Sequence, residues 1–187
     1  MATNDNAIGM IELSSIGVGY LVQDAMLKAA NVDLLLGRTI CSGKYINVVG
    51  GSVGPVRTAV EVGVDAAPDG VIDQMVIPSV HPGVFPAVAQ SVELDGPPPP
   101  AVGIVETYSA ACVLEAADAA AKAARITLLR IHLAMALGGK AYLLMTGSVA
   151  DCRSGVDAAA RIARAKGLLV SEVVISGPRK ELLSEYI

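Results

Sequence analysis

Short apolar runs alternate with helical periods along the first half of the chain. Ile8–Leu13 has the length and composition of a buried strand, and Ser14 and Ser15 after it are residues that cap helices. Apolar residues then recur every three or four positions up to about Asn31, which predicts a helix with one buried face. The residues on that face are Val18, Leu21, Val22, Ala25, Met26 and Ala29.

The pattern continues with two strands, a second helix and a last strand. A turn at Ser42 and Gly43 joins the two strands, and Pro78 ends the last one. The predicted elements are strands at Val32–Cys41, Lys44–Val49 and Val71–Ile77 and a helix from Ser52 to about Ala66. The order β-α-β-β-α-β is that of the ferredoxin-like, split βαβ fold.

The second half of the chain repeats the first. Ala7–Glu12 matches Ala101–Glu106 at an offset of 94 residues, and 11 of the 29 positions from residue 7 to residue 35 are identical to their counterparts. The offset grows by two before Gly139, which matches Gly43. Further matched segments are Asp24–Ala30 with Asp118–Ala124 and Gly51–Val53 with Gly147–Val149. Because the spacing persists through both halves, the chain is an internal duplication.

The duplication predicts an α+β chain of two tandem ferredoxin-like domains. The predicted domains are residues 1–94 and 101–187, joined by a Pro-rich linker at 95–100 in which Pro97–Pro100 is a stiff spacer. In the second domain we expect the last strand at Leu168–Ile175 and a short terminal helix from Pro178. Helices cover one face of each sheet, so whatever covers the other face and the sheet edges decides the function.

Charge and hydropathy exclude two kinds of partner, nucleic acid and membrane. Fourteen Lys and Arg against eighteen Asp and Glu give a net charge of -4, whereas nucleic-acid binding needs a basic stripe. The longest charge-free stretch, Gln74–Val92, is interrupted by prolines and polar residues, which excludes a membrane span. The first residues lack the layout of a signal peptide, so we expect a cytosolic protein. Only 17% of the residues are charged, which favours burial of surface against other subunits.

Cys41 is the strongest candidate for chemistry. It lies in a β-turn, Thr39–Lys44, where Gly43 permits an unusual backbone, and a thiol at such a turn is predicted to be exposed and suited to metal ligation. One cysteine cannot hold an iron–sulfur cluster, but three copies on a three-fold axis supply three. A loop cysteine without a function remains the alternative. Cys112 and Cys152 lie in apolar helical runs and are predicted to be buried structural thiols.

Other polar candidates favour structural roles. His81, in a loop, and His132, on a strand, have no companion ligand at metal-binding spacing. Glu12 and Glu106 are repeat-related carboxylates at strand ends without a visible acid–base partner. Gly50–Pro55 precedes a helix but lacks the lysine of a phosphate-binding loop. Since no paired carboxylates, catalytic triad or metal cage is present, the sequence does not predict an enzyme.

Lys28 and Lys122 occupy matching positions late in the first helix of each copy. A solvated helix face with a favourable dipole interaction would explain them. The alternative is a contact edge between molecules. A single exposed salt bridge contributes about 0–1 kcal/mol, but such contacts add by multivalency when they are repeated around a polygonal oligomer.

Several of these segments resemble the shell domains of bacterial microcompartments. The segments that carry the resemblance are Ala7–Glu12, Asp24–Ala30, Gly43-Lys44 and Pro178-Arg179. Two such domains in tandem resemble the trimeric tandem-domain shell proteins, and in particular the propanediol-utilisation type with an iron–sulfur centre. The resemblance extends from about Ala7 to Arg179.

The resemblance implies a homotrimer that tiles a shell facet as a pseudo-hexameric disc, beside other shell hexamers and trimers, in a microcompartment in the cytoplasm. In that type a Thr-Ile-Cys-x-Gly-Lys turn lies at the trimer centre, and Thr39–Lys44 matches it. The resemblance therefore implies that three copies of Cys41 bind one [4Fe-4S] cluster, for electron transfer across the shell to an encapsulated redox enzyme or for cluster exchange. The expected contact residues are Ile40, Ser42, Gly43, Leu137 and Gly138 at the pore and Lys28, Lys122 and Arg179 at the shell edge.

Two other functions remain open from the sequence. The same disc without a metal would be a pore for metabolites, with Ser42 and Gly43 at its gate and Cys41 reduced and metal-free. A trimeric ferredoxin-like signalling protein could instead bind a ligand such as a nucleotide at its subunit clefts. The absence of a phosphate-binding motif disfavours this second alternative.

Overall fold

Each half of the chain forms the βαββαβ unit that its apolar pattern predicts. The computed structural model describes residues 7–94, 98–134 and 137–183. The first unit contains β1 (Ala7–Leu13), α1 (Ile16–Ala29), β2 (Asp33–Ile40), β3 (Lys44–Gly51), α2 (Val53–Ala66) and β4 (Val71–Ile77). The elements after it are a short helix, α3 (Val84–Val88), and then β5 (Ala101–Thr107), α4 (Ala110–Ala123), β6 (Thr127–Leu133), β7 (Ala141–Gly147), α5 (Val149–Ala165) and β8 (Leu169–Ser176).

The two four-stranded sheets have the same topology. Their strand orders are β2-β3-β1-β4 and β6-β7-β5-β8, and all neighbouring strands are antiparallel. The central strands also pair in the same register, with Ile8 opposite Gly50 in one sheet and Val102 opposite Thr146 in the other. The predicted fold class, two tandem ferredoxin-like domains, is confirmed.

The second helix of each unit crosses its central strand at close range. A Cβ atom at Gly9 would lie 2.7 Å from Cγ2 of Val60, and one at Gly103 would lie 2.7 Å from Cγ2 of Val156. Real Cβ atoms do not approach a neighbour so closely, so both repeats need a glycine at this position. The helix-side core of the first unit includes Ile11, Leu13, Val22, Met26, Val56 and Val60.

The opposite face of the second sheet is covered by chain outside the βαββαβ unit. Val92, Leu94 and Leu183 pack there against apolar residues of β5, β6 and β7. Leu183 is 1% exposed. Segments before β5 and after β8 therefore complete the core of the second sheet.

The boundary between the two compact units falls between Val80 and His81. Residues 81–94, which the duplication and the Pro-rich linker assigned to the first domain, belong to the second compact unit, in which α3 packs against α4 and β6. Residues 95–97 of the proposed linker lie outside the described residues, and 98–100 form no helix or strand. In place of the terminal helix expected from Pro178, the described residues show one 3₁₀ turn, Lys180–Leu183.

The charge-free stretch Gln74–Val92 forms short elements. It contains the end of β4 and the five-residue helix α3. Over residues 7–94, 98–134 and 137–183, no helix is long and apolar enough to cross a lipid bilayer.

Helix α5 has a side-chain cap that α2 lacks at the equivalent position. Ser148 Oγ accepts a hydrogen bond from the Asp151 N–H (3.1 Å) and donates one to the Asp151 carboxylate (2.5 Å), whereas Ser52 makes no such cap. Ser148→Ala should therefore lower the free energy of unfolding by about 1 kcal/mol, and Ser52→Ala by less than about 0.5 kcal/mol. Urea unfolding of both variants measures the difference, and equal losses would contradict this role of the cap.

Candidate functional site at the Cys41 turn

The turn between β2 and β3 consists of three residues, Cys41–Gly43. Ser42 has φ 64° and ψ 26°, and Gly43 has φ 74°, so both adopt the left-handed conformation. Glycine adopts it freely, whereas a residue with a Cβ is strained there by about 1–2 kcal/mol. The turn leaves Ser42 and Gly43 exposed and Cys41 half-buried beside them, so the thiol is less exposed than predicted.

The equivalent turn of the second unit is longer. Five residues lie between the opposed residues Thr39 and Tyr45, and seven lie between the equivalent Leu133 and Ala141. The two-residue shift of the repeat is therefore located in this turn. The second turn contains no cysteine.

The five residues predicted to line a pore differ in exposure within one chain. Ile40, the last residue of β2, is 7% exposed, while Ser42 and Gly43 face solvent. In the second unit Leu137 is half-buried and Gly138 is exposed with φ 63°. Four of the five residues therefore lie on the two equivalent turns, and Ile40 packs at the base of the first.

An ion pair flanks each turn. Lys44 Nζ lies 2.8 Å from Glu12 Oε1, and Lys140 Nζ lies 2.6 Å from Glu106 Oε1. The hydrogen bond to Glu106 is the main cause that raises the pKa of Lys140. Each carboxylate thus holds the lysine that follows the turn.

All three cysteines lie within the described residues, and none forms a disulfide. Cys112 and Cys152 are fully buried, as predicted. Burial, with a smaller effect of the Asp151 charge, raises the pKa of Cys152, and a protonated thiol is a poor metal ligand. Among the described residues, no three His, Cys, Asp or Glu side chains are grouped to hold a metal ion. One chain therefore offers the single thiol of Cys41, and a site with several thiols requires several chains.

The two lysines predicted at the shell edge lie in the last turn of equivalent helices, α1 and α4. Lys28 pairs with Asp24 at 2.5 Å, and Lys122 pairs with Asp118 at 2.6 Å. The first pair is open to solvent, with side chains 75% and 60% exposed, whereas Asp118 is only 10% exposed. The two equivalent ion pairs thus differ in how far their carboxylates are exposed to solvent.

The third predicted edge residue, Arg179, follows β8. Its guanidinium donates to the Glu181 carboxylate at 2.9 Å, and both side chains are exposed. This hydrogen bond lowers the pKa of Glu181. Solvent screens an exposed pair of this kind, so the guanidinium can exchange Glu181 for another acceptor.

The backbone of His81 makes a contact that the sequence pattern does not predict. Its N–H donates to Asp118 Oδ1 (2.8 Å), and its ring Nδ1 accepts a hydrogen bond from the Gly83 N–H (3.1 Å). A backbone donor leaves no signature in a side-chain pattern, so no signal in the sequence could have shown it. His132 stacks on Tyr142 with ring centroids 5.2 Å apart. Both histidines thus make packing or hydrogen-bond contacts within the fold.

Known proteins share this architecture over nearly the whole chain. The BMC domain family matches residues 7–80 and 101–178. The chain is 43% identical over 181 residues to the bacterial microcompartment shell protein PduT of Citrobacter freundii, an alignment that covers 97% of both chains. It is 38% identical over 82 residues to the shell protein EutM of Salmonella typhimurium, covering 44% of this chain and 83% of that protein.

A crystal structure of a microcompartment protein from Desulfitobacterium hafniense superposes on this chain with a TM-score of 0.91 at 40% identity, covering 95% of this chain and 98% of that chain. The two family matches coincide with the two βαββαβ units, and the first ends at residue 80, where the first compact unit ends. These relatives have a structural role and are not enzymes, which confirms the expectation from the sequence. The chain belongs to the BMC domain family and is a tandem-domain structural shell protein of a bacterial microcompartment.

Proposed function

We propose that three copies of this shell protein form a ring and that their Cys41 turns meet at its centre, where they bind one [4Fe-4S] cluster. The observation that carries the proposal is the difference between the two equivalent turns. The first presents a half-buried thiol at a tight, partly exposed turn, and the second contains no cysteine.

The internal repeat supports a ring of three chains. Each chain carries two units with the same strand order and the same register of the central strands. Three chains then supply six similar units, and closed cyclic symmetry is the common solution for such assemblies. First and second units alternate around the ring, so three thiol-bearing turns alternate with three that have none.

The residues of the turns fit a cluster held by three thiolates. Thiolate sulfur is the usual protein ligand of iron in such clusters, and the tip residues beside Cys41 have no bulky side chains. In the second unit a Cβ at Gly138 or Gly139 would meet no atom within 4 Å, so these positions leave space. Three thiolates leave one iron of a cubane without a protein ligand, and the bound group would supply one-electron transfer.

The chain's own contribution is to hold the turn in place. The Glu12–Lys44 ion pair ties Lys44, the residue after the turn, to β1. Ile40, the residue before Cys41, is held by its packed side chain. Both ends of the three-residue turn are therefore anchored in the sheet. The proposed roles are electron transfer across the shell to an encapsulated redox enzyme, or exchange of the cluster.

We place the outer contacts of the ring at Lys28, Lys122 and Arg179, where it would meet neighbouring shell hexamers and trimers. All three are exposed cations at the protein surface, each held by an acidic neighbour. Individually weak contacts of this kind permit reversible tiling and add when they are repeated around the ring.

A metal-free pore for metabolites is the second candidate. The exposed hydroxyl of Ser42 and the exposed backbone of Gly43 and Gly138 favour it, because small polar positions at a turn suit the lining of a narrow passage. In this case Ile40, Ser42, Gly43, Leu137 and Gly138 surround the opening, and Cys41 carries no metal.

Iron and acid-labile sulfide, measured per trimer on protein purified without oxygen, separate the two candidates. The cluster proposal predicts a particle of three chains with about four iron and about four sulfide. A trimer without iron or sulfide would leave the plain pore. A particle that is not a trimer would contradict both.

A further inference from the structure

Two segments that follow equivalent strands have the same backbone path. Ser79, after β4, has φ 54°, and Gly177, after β8, has φ 57°. The Val84 N–H donates to the His81 carbonyl (2.9 Å), and the Leu182 N–H donates to the Arg179 carbonyl (3.1 Å). The segment 79–84 therefore corresponds to 177–182 residue by residue, with Arg179 in the place of His81 and Leu182 in the place of Val84.

The first of these segments performs a defined task in the second unit. The His81 N–H caps the Asp118 carboxylate (2.8 Å), whose other oxygen holds Lys122. Val84 begins α3, which packs against α4 and β6, and its side chain is fully buried. This segment thus covers the helix α4 and the edge strand β6.

The equivalent surface of the first unit is uncovered. Asp24, the counterpart of Asp118, holds Lys28 but remains 60% exposed, against 10% for Asp118. We call the surface formed by Tyr20, Asp24 and Leu34 the α1–β2 face. Tyr20 is 61% exposed, whereas its counterpart Leu114 is fully buried. Leu34 is 40% exposed, whereas its counterpart Leu128 is 3% exposed.

The second segment has an exposed apolar residue at the matching place. Leu182 is 53% exposed, whereas its counterpart Val84 is fully buried. One chain thus has an exposed segment, 177–182, and an exposed α1–β2 face. The counterparts of both, the segment 79–84 and the surface of α4 and β6, are packed against each other.

We propose that residues 177–183 of a second copy of this chain cover the α1–β2 face. The Arg179 backbone N–H then donates to Asp24, as the His81 N–H does to Asp118, and the Leu182 side chain takes the place that Val84 has on α4 and β6. The contact joins two different surfaces, so it is not an isolated two-fold pair, and its repetition closes the proposed ring when three copies are related by a three-fold rotation. The inference rests on the proposed trimer and names the segment that holds it together.

Disulfide trapping in the full-length chain tests the contact. Asp24→Cys combined with Arg179→Cys should give, after oxidation, chains linked into dimers and trimers on a denaturing gel, with the linked peptides 24 and 179 identified by mass spectrometry. His81→Cys combined with Asp118→Cys is the matched control and should link within a single chain, because the N–H and carboxylate there are 2.8 Å apart. A control that links and a test pair that does not would overturn the proposal.

A second variant decides the question independently of thiol geometry. Leu182→Glu should raise the protein concentration at half-assembly about tenfold or more, because a charge would be buried in the contact. Tyr108→Glu is the control, since Tyr108 is 60% exposed and its counterpart Ser14 is exposed too. An unchanged midpoint for Leu182→Glu overturns the proposal. If the unsubstituted protein is nonetheless a trimer, the trimer stands and only this contact fails, whereas a monomeric unsubstituted protein overturns the trimer itself.

Discussion

Replacement of Cys41 by alanine should abolish the iron and acid-labile sulfide of anaerobically purified protein without changing its trimeric mass. Cys41 is the only one of the three thiols outside a helix core, and the other two are fully buried. Without it, no thiolate remains at the turn to bind iron. Because the side chain is half-buried at a three-residue turn, alanine should change the free energy of unfolding by less than about 1 kcal/mol.

The matched control for this variant is Cys152→Ala. Cys152 is fully buried in α5 and its pKa is raised by burial, so its removal should cost about 1 kcal/mol of stability and leave the iron content unchanged. Iron retained at full stoichiometry in Cys41→Ala would remove Cys41 from the proposed site. Loss of iron together with loss of the trimer would indicate a structural role for the thiol instead.

The fold could be predicted from the sequence because the duplication is still visible in it. The matched apolar runs and the shared glycines at positions 9 and 103 place the same strand under the same helix twice. The turn at residues 41–43 was also recognisable, since Gly43 provides a left-handed position between two apolar strands. In these segments the elements that the apolar pattern predicts are the ones that pack together in the fold.

The boundary between the units was not predictable from composition. The proline-rich residues 97–100 suggested a linker, yet the compact units divide after Val80. The residues after Val80 pack on the second unit, where α3 contacts α4 and β6 and the His81 N–H donates to Asp118, 37 residues away. Such contacts depend on where the sheet ends in space, which a one-dimensional pattern does not contain. The role proposed for Cys41 would depend in the same way on contacts with other chains.

The two units differ in the sizes of two residues that pack against each other, one on the first helix and one on the second hairpin strand. Gly19 of α1 lies against Tyr45 of β3, and a Cβ at Gly19 would be 2.3 Å from Cγ of that ring. The equivalent residues of the second unit are Val113 and Ala141, both fully buried. A small residue on the helix thus faces a large one on the strand in one unit, and the sizes are reversed in the other. In each unit a small residue on one element makes room for a larger one on the other, as close-packed cores require.

Gly19→Ala should therefore lower the free energy of unfolding by about 2–3 kcal/mol, the loss expected from overpacking. The ring cannot easily move away, since Tyr45 is 2% exposed, its hydroxyl donates to Gln23 Oε1 (3.0 Å) and it contacts the ring of Tyr20. Gly17→Ala in the same helix is the control. Its Cβ would meet no atom within 4 Å, so better helix propensity should stabilise the protein by up to about 1 kcal/mol. Urea unfolding measures both.

A double replacement that copies the second unit tests the same packing more strictly. Tyr45→Ala alone should cost about 3–5 kcal/mol, because it leaves a cavity, and Gly19→Val alone should cost more than Gly19→Ala. The double variant Gly19→Val with Tyr45→Ala should lose about 1–3 kcal/mol less than the sum of the single losses, since the new methyl groups enter the space that the ring vacates. Losses that simply add would show that the two positions do not share a packing site, and the exchanged sizes in the two repeats would then be coincidental.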